Sequence, residues 1–291
     1  MTTQSITSVT DGQKKQYLRF VEDAADKALV EAVLDKDGLQ RVIENGDDLQ
    51  AAIVAKLKEL SVTNEYADEE VGSNYGYLSG YKPKGIAEQI KTLRKLFPSI
   101  GTADEQIASK PLPASAEGWF AIPRYELVAA SYNDAVLAVL ELTKKDRNGK
   151  FYNWCEGHLG PQYLHQTERA VRSLKKIGEE QKGHDILVVA AQFGLRHRGR
   201  SVRRARSTMN SSEFGLGAFA VGVILLTHPE RLKHYDDLWI DCAGDEYSPD
   251  ADGRFDEAPL FDFDDGEVEF FTHWVGNARE FYGSASGFLP Q

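Results

Sequence analysis

Residues 183–206 read GHDILVVAAQFGLRHRGRSVRRAR, a hydrophobic run that turns within a few residues into the most basic segment of an acidic chain. The run at 186–191 (ILVVAA) is continuous in aliphatic and β-branched side chains and lies between Gly183 and Gly194. It predicts a strand buried on both faces, because a half-solvated strand would alternate polar and apolar residues. Beyond Gly194 stand Arg196, His197, Arg198, Arg200, Arg203, Arg204 and Arg206, with no Asp or Glu between Asp185 and Glu213. The guanidinium group offers planar, paired donors that suit phosphate and carboxylate oxygens. A loop leaving the carboxyl end of a buried strand is also where open α/β sheets bind ligands. These seven residues are therefore the candidate binding set for an anion: an anionic small molecule, a nucleic acid or an acidic protein surface. A second reading pairs the same arginines internally with the chain's surplus carboxylates.

That surplus is large. The 291 residues carry 34 Lys and Arg against 45 Asp and Glu, a net charge of −11. The field of the whole molecule repels nucleic acid, so a nucleic-acid role would have to be local to the arginine segment. Two cysteines, Cys155 and Cys242, are too few for a disulfide-built scaffold and suit a reducing compartment. The amino-terminal stretch MTTQSITSVTDGQKKQ lacks the apolar centre of a secretory signal, and the longest apolar run, LGAFAVGVILL at 216–226, is too short for a bilayer. A soluble cytoplasmic protein without a membrane partner is the expectation. Oligomeric state is not readable, and no cofactor motif emerges.

The organisation is α+β. Residues 1–60 read as a helical segment in which Leu18, Val21, Ala25 and Leu29 recur at helical spacing, with Asp37–Gly38 and Asn45–Gly46 as breaks. The segment is expected to pack on a mixed α/β main domain, 61–291, or to be continuous with it. Tyr66, Tyr75, Tyr77 and Tyr81 lie in a glycine-rich stretch, either as a binding surface or as anchors of an irregular loop. Helices are expected over 85–97, 125–144, 161–182 and 214–226, and strands at 118–123 and 238–242. Alternating aromatic and acidic residues around Asp265–Gly266 predict a carboxyl-terminal hairpin with one buried face.

Several near-motifs carry little chemistry. Cys155 and His158 make half of a zinc site, and the other half is missing. Gly215, Gly217 and Gly222 miss the dinucleotide-loop spacing and suit close helix packing instead. Asp250, Asp252 and Asp256 resemble part of a calcium loop without its bidentate glutamate. Twelve acids and one base, Arg254, fall between 241 and 269, and some of these carboxylates are expected to face the arginines.

Segments at 66–89 (YADEEVGSNYGYLSGYKPKGIAEQ), 117–126 (EGWFAIPRYE), 213–232 (EFGLGAFAVGVILLTHPERL) and 234–253 (HYDDLWIDCAGDEYSPDADG), with 183–206 and the terminal GSASGFLPQ, resemble a family of hypothetical proteins from candidate-phylum bacterial genomes. The resemblance implies a family and no activity, so no residue role is carried over. Three functions stay open. The first is a protein binding an anion through the arginine segment. The second is an enzyme in which Arg196, Arg198 and Arg200 position a phosphate or carboxylate while His197, Asp241, Asp245 or Glu246 moves protons. The third is a structural or interaction protein whose arginines are paired within the fold.

Overall fold

The computed structural model describes residues 11–31, 35–60 and 65–290. It divides into two units near residue 61. The first holds three helices, α1 (Asp11–Glu31), α2 (Lys36–Glu44) and α3 (Gly46–Leu60). Asp37–Gly38, expected to break the helix, instead lies in the first turn of α2. Asp35 caps that turn, its carboxylate accepting from Gly38 N at 2.6 Å.

The second unit runs α4 (Ile86–Leu96), β1 (Gly118–Pro123), α5 (Tyr132–Asp146), β2 (Phe151–Asn153), β3 (Leu164–Gln166), α6 (Glu168–Glu180) and β4 (Ile186–Phe193). It continues with α7 (Val202–Thr208), β5 (Glu213–Gly215), α8 (Ala218–Thr227), β6 (Ile240–Asp241), β7 (Asp245–Tyr247), β8 (Glu257–Asp264), β9 (Glu267–Trp274) and β10 (Ala285–Phe288). The fold is α+β, as the sequence indicates.

β4 is the centre of a four-stranded sheet in the order β1-β4-β10-β5, and all eight of its residues are buried. Every pairing in this sheet is antiparallel. The placement of ligands at carboxyl strand ends, a property of parallel α/β sheets, therefore does not transfer to the arginine segment. A second sheet runs β2-β9-β8-β7-β3, with β6 beside β8 and one parallel pair, β2 with β9. Its hairpin turns at Asp265 (φ 44°) and Gly266 (φ 86°), the left-handed pair that a tight two-residue connection requires. β9 alternates in burial over residues 267–270 as expected and loses the alternation beyond them, whereas residues 258–262 of β8 are buried on both faces.

α4 and α8 lie against β1, α6 against β4 and β5, and α5 against α8. Every residue of α8 is buried. At Gly222 a side chain would strike Val139 of α5, so the glycines of 215–222 serve close packing. A short strand, β5, ends on the first of them where continuous helix was expected. Two other boundaries moved inward because caps set them. Ser131 Oγ accepts from Asp134 N at 3.1 Å and starts α5, leaving 125–127 as a separate turn. Thr167 Oγ1 accepts from Ala170 N at 3.2 Å and starts α6, leaving 164–166 free to pair with β7.

The tyrosine-rich stretch is an anchored loop. Tyr81 is buried, and Tyr77 donates to Glu117 at 2.6 Å beneath the fully buried Arg231, whose guanidinium lies 3.9 Å above its ring. Among the described residues no helix is long and apolar enough to cross a membrane.

Candidate functional site

Two places concentrate chemistry: the arginine segment, and a groove on the other side of β4's amino-terminal end. The segment begins at Gly194, whose φ of 117° turns the chain sharply out of β4. A short turn carries Arg196 and His197, and Ser201 then caps α7 through Arg204 N. Residues 65–71 run alongside as a strap: Val71 N donates to Gly199 O at 2.8 Å and Ser201 N to Glu69 O at 3.1 Å.

Each sequence-predicted residue has a partner within the fold. Arg196 donates to both oxygens of Glu213 at 3.0 Å and to Ser115 at 2.7 Å. His197 is fully buried and bonds Glu213 through Nε2 at 2.8 Å. Arg200 contacts its Nδ1 at 3.3 Å, and a guanidinium only donates, so Nδ1 is the acceptor and Nε2 carries the proton. Arg200 also pairs with Glu70 at 2.9 Å. Arg203 bonds Glu69 and lies between the faces of Tyr66 and Trp274, 4.5 and 4.8 Å from their centroids. Arg204 is buried, with Glu70 at 2.6 Å and Glu65 O at 3.0 Å. Arg206 reaches Ala243 O at 2.9 Å, Asp245 O, and Glu246 at 3.9 Å. Arg198 is the exposed one, donating to Tyr75 O at 3.0 Å and to no other group among the described residues.

The electrostatics follow from this packing. Burial pushes the Glu213 carboxyl up, but bonds from His197 and Ser286 and the charge of Arg196 more than offset it, leaving its pKa below the ordinary range. Burial also lowers His197 against the pull of Glu213, so the imidazole stays neutral. The carboxylates facing the arginines come chiefly from the strap (Glu69, Glu70) and from Glu213. The acidic 241–269 stretch contributes Glu246, 3.9 Å from Arg206, and the nearby charges of Asp245 and Asp241.

The remaining candidates are engaged elsewhere. Asp241 is buried against His273 at 3.0 Å, and Glu246 lies 3.6 Å from His165. Asp252 accepts from Arg254 and Ser248. Cys155 and Cys242 are separate, buried free thiols. Burial raises Cys155 to about 12, which keeps it protonated and inert, and His158 packs edge-on against Tyr163. Among the described residues no group of three His, Cys, Asp or Glu is arranged to hold a metal.

The groove has a volume of about 980 Å³ and lies between α6 and residues 122–132, with the start of α8 at one end. Its apolar surface comes from Ile122, Leu174, Leu187 and Phe219. Tyr125, Tyr132 and Phe219 pack edge to face, with centroids 5.6 to 6.5 Å apart, and stiffen one end. The Tyr132 hydroxyl donates to Asp245 at 2.8 Å and accepts from Phe219 N. Asp245 in turn accepts from Ala218 N at 2.7 Å, so the amino terminus of α8 is neutralised from within. Burial raises Asp245 to about 7, although Ala218, Tyr132 and Arg206 pull it down.

At the other end sits Arg124, which sequence reasoning passed over. Nε donates to His184 O at 2.7 Å, and Nη2 to Gly178 O and Gln181 O at 2.7 and 3.0 Å. These carbonyls close the carboxyl end of α6, where a cation is favoured. Nη1 has no hydrogen bond and the guanidinium no carboxylate partner among the described residues. Around it the exposed rim carries both signs: Lys175 and Lys182 against Glu126 and Glu179. Asp185, also at this end, is committed to Gly101 N at 2.8 Å. The only local signal was an arginine following a proline at a strand end.

No family model, no curated protein and no solved structure matches the chain.

Proposed function

We propose that this is a binding protein for a small molecule with an apolar body and an anionic end, held in the groove at Arg124. The single observation that carries this is the Arg124 guanidinium. Three carbonyls fix it in place, no carboxylate among the described residues is bonded to it, and it stands at the end of a cavity of ligand size with apolar walls. The carboxyl-terminal dipole of α6 offsets only about half of the guanidinium's charge, so the remainder stays available to a ligand phosphate or carboxylate. Ile122, Leu187 and Phe219 would take the apolar body. The bound anion anticipated for the arginine segment is thus retained as a ligand class and moved to a different place. The arginines of 196–206 act as the fold's internal ties on this reading.

The test is thermal unfolding of the purified chain against aromatic carboxylates and nucleoside monophosphates, each beside a neutral analogue. A ligand at one hundred times its Kd stabilises the native state by about 2.7 kcal/mol, a midpoint rise of roughly 5–10 °C for a unit of this size. Val171 lines the groove from the exposed face of α6, so Val171→Trp should abolish the rise and leave the unliganded midpoint in place. Arg124→Gln should remove the preference for the anionic member of each pair. A panel that shifts nothing, or a shift that survives both substitutions, would overturn the proposal.

A further inference from the structure

The helix α1 presents charge and apolar surface in an order that its own chain does not satisfy. Leu18, Val21, Ala25 and Leu29 fall within about 80° of one another around the helix axis and form a single stripe. Leu18 and Leu29 are exposed, at 47% and 40%, and Val21 is half-buried. A helix of about 31 Å whose apolar stripe is uncovered has little to hold it, since isolated helices are marginal and most helical stability comes from packing that face.

Charge says what covers it. Residues 11–20 hold three bases (Lys14, Lys15, Arg19) against one acid, and residues 21–31 hold four acids (Glu22, Asp23, Asp26, Glu31) against one base, Lys27. This order opposes the helix dipole, which favours acids near the amino end and bases near the carboxyl end. It is not cured along the helix, where the pairs Arg19–Asp23 at 3.9 Å and Lys27–Glu31 at 3.7 Å are long and solvent-exposed. Lys15, Arg19, Glu22 and Asp26 lie together along one edge of the apolar stripe, basic first and acidic after. Two such helices laid side by side in opposite directions set Lys15 and Arg19 of each against Glu22 and Asp26 of the other. The same operation buries both stripes and places each dipole against its reverse. A parallel pair would set that charged edge against the partner's other edge, where Tyr17 and Ala24 offer no opposite charge, and would align the two dipoles in the same sense. The near balance of charge also makes α1 a poor match for an anionic membrane surface, which selects cationic helices.

We propose that α1 pairs antiparallel with α1 of a second copy of this chain, making the protein a two-fold dimer through an isologous helix–helix contact. The experiment is sedimentation velocity on the full chain across a concentration series, with charge-reversed variants on the exposed edge. The wild-type chain should sediment as a dimer. Lys15→Glu with Arg19→Glu should weaken self-association by on the order of tenfold or more, as should Glu22→Lys with Asp26→Lys. An equimolar mixture of the two double variants should restore the dimer, and so should all four changes in one chain, which shows that the variants have not simply failed to fold. A wild-type monomer at about 100 µM, where a pair this size would be populated, overturns the proposal. So does a dimer that both double variants leave unchanged, because another surface would then be responsible.

Discussion

The segment at 196–206 and the groove at Arg124 both present guanidinium groups, and they dispose of the charge in opposite ways. In the segment most arginines meet a carboxylate: Glu213 for Arg196, Glu69 for Arg203, and Glu70 for Arg200 and Arg204. Donors and charge are consumed together. Arg124 meets carbonyls, which take up its donors on one side and offset its charge only in part through the dipole of α6, with no carboxylate bonded to it among the described residues. Density of positive charge along a sequence is therefore a poor guide to where an anion would settle. The acceptor that each cation finds decides the matter.

Removing an acceptor from the segment should have the largest effect. Glu213→Ala leaves Arg196 and His197 without their shared carboxylate in a site that is 1% exposed. Stranding buried polar and charged groups in this way should cost about 3–5 kcal/mol and lower the unfolding midpoint by roughly 10 °C. The pH dependence has a definite sign. Because the folded pKa of Glu213 is depressed, its contribution is complete above the ordinary glutamate pKa and disappears as pH falls through the folded value. Acid titrations of wild type and Glu213→Gln, followed by circular dichroism, should differ below about pH 4.5. Equal acid sensitivity would place the acid-labile group elsewhere.

A smaller effect of opposite direction is expected at Asp262, a buried carboxyl with no cation beside it among the described residues. It stands directly across from Glu269, and its Oδ1 has no hydrogen-bond partner among the described residues. Burial, then Glu269 and Asp264, raise it to about 8. The folded state thus holds a proton that the unfolded chain releases, and stability should fall as pH rises from about 4 to about 8 and then level off. Asp262→Asn should flatten that slope and stabilise the fold at pH 8 by about 1–3 kcal/mol, read from urea midpoints. The smallest effect belongs to Arg198, exposed and bonded to one carbonyl, where replacement by Ala should change stability by no more than about 0.5 kcal/mol. A large loss there would mean that the segment's exposed arginine also holds the fold together, and the contrast with its neighbours would fail.

Legibility in the sequence tracked the range of the interactions involved. β4 and the 257–274 hairpin were readable because an unbroken aliphatic run and an Asp–Gly turn between alternating residues are local signals. The starts of α5 and α6 were misplaced because apolar spacing outran the caps at Ser131 and Thr167. β10 went unseen, since Ala285, Ser286 and Gly287 have none of the bulk that marks a strand. The arginine segment was conspicuous, but its partners Glu69 and Glu70 lie about 130 residues away in a stretch whose tyrosines drew the attention. Arg124 gave no signal, because its partners are backbone carbonyls, which every residue carries.

The position of β10 between β4 and β5 has a consequence for how the protein is made. Until residue 288 has left the ribosome, β4 and β5 face each other across a gap one strand wide, with the backbone groups of both edges unsatisfied. Synthesis at about 5–20 residues per second puts several seconds between the appearance of β4 and that of the strand that seals it. A nascent chain in that interval exposes a long aliphatic edge, and a chaperone or a neighbouring polysome could compete for it. Ribosome-bound chains carried out of the exit tunnel on a carboxyl-terminal linker should accordingly be far more protease-sensitive when they end before residue 285 than when they run to residue 291, with the change falling within the four residues of β10.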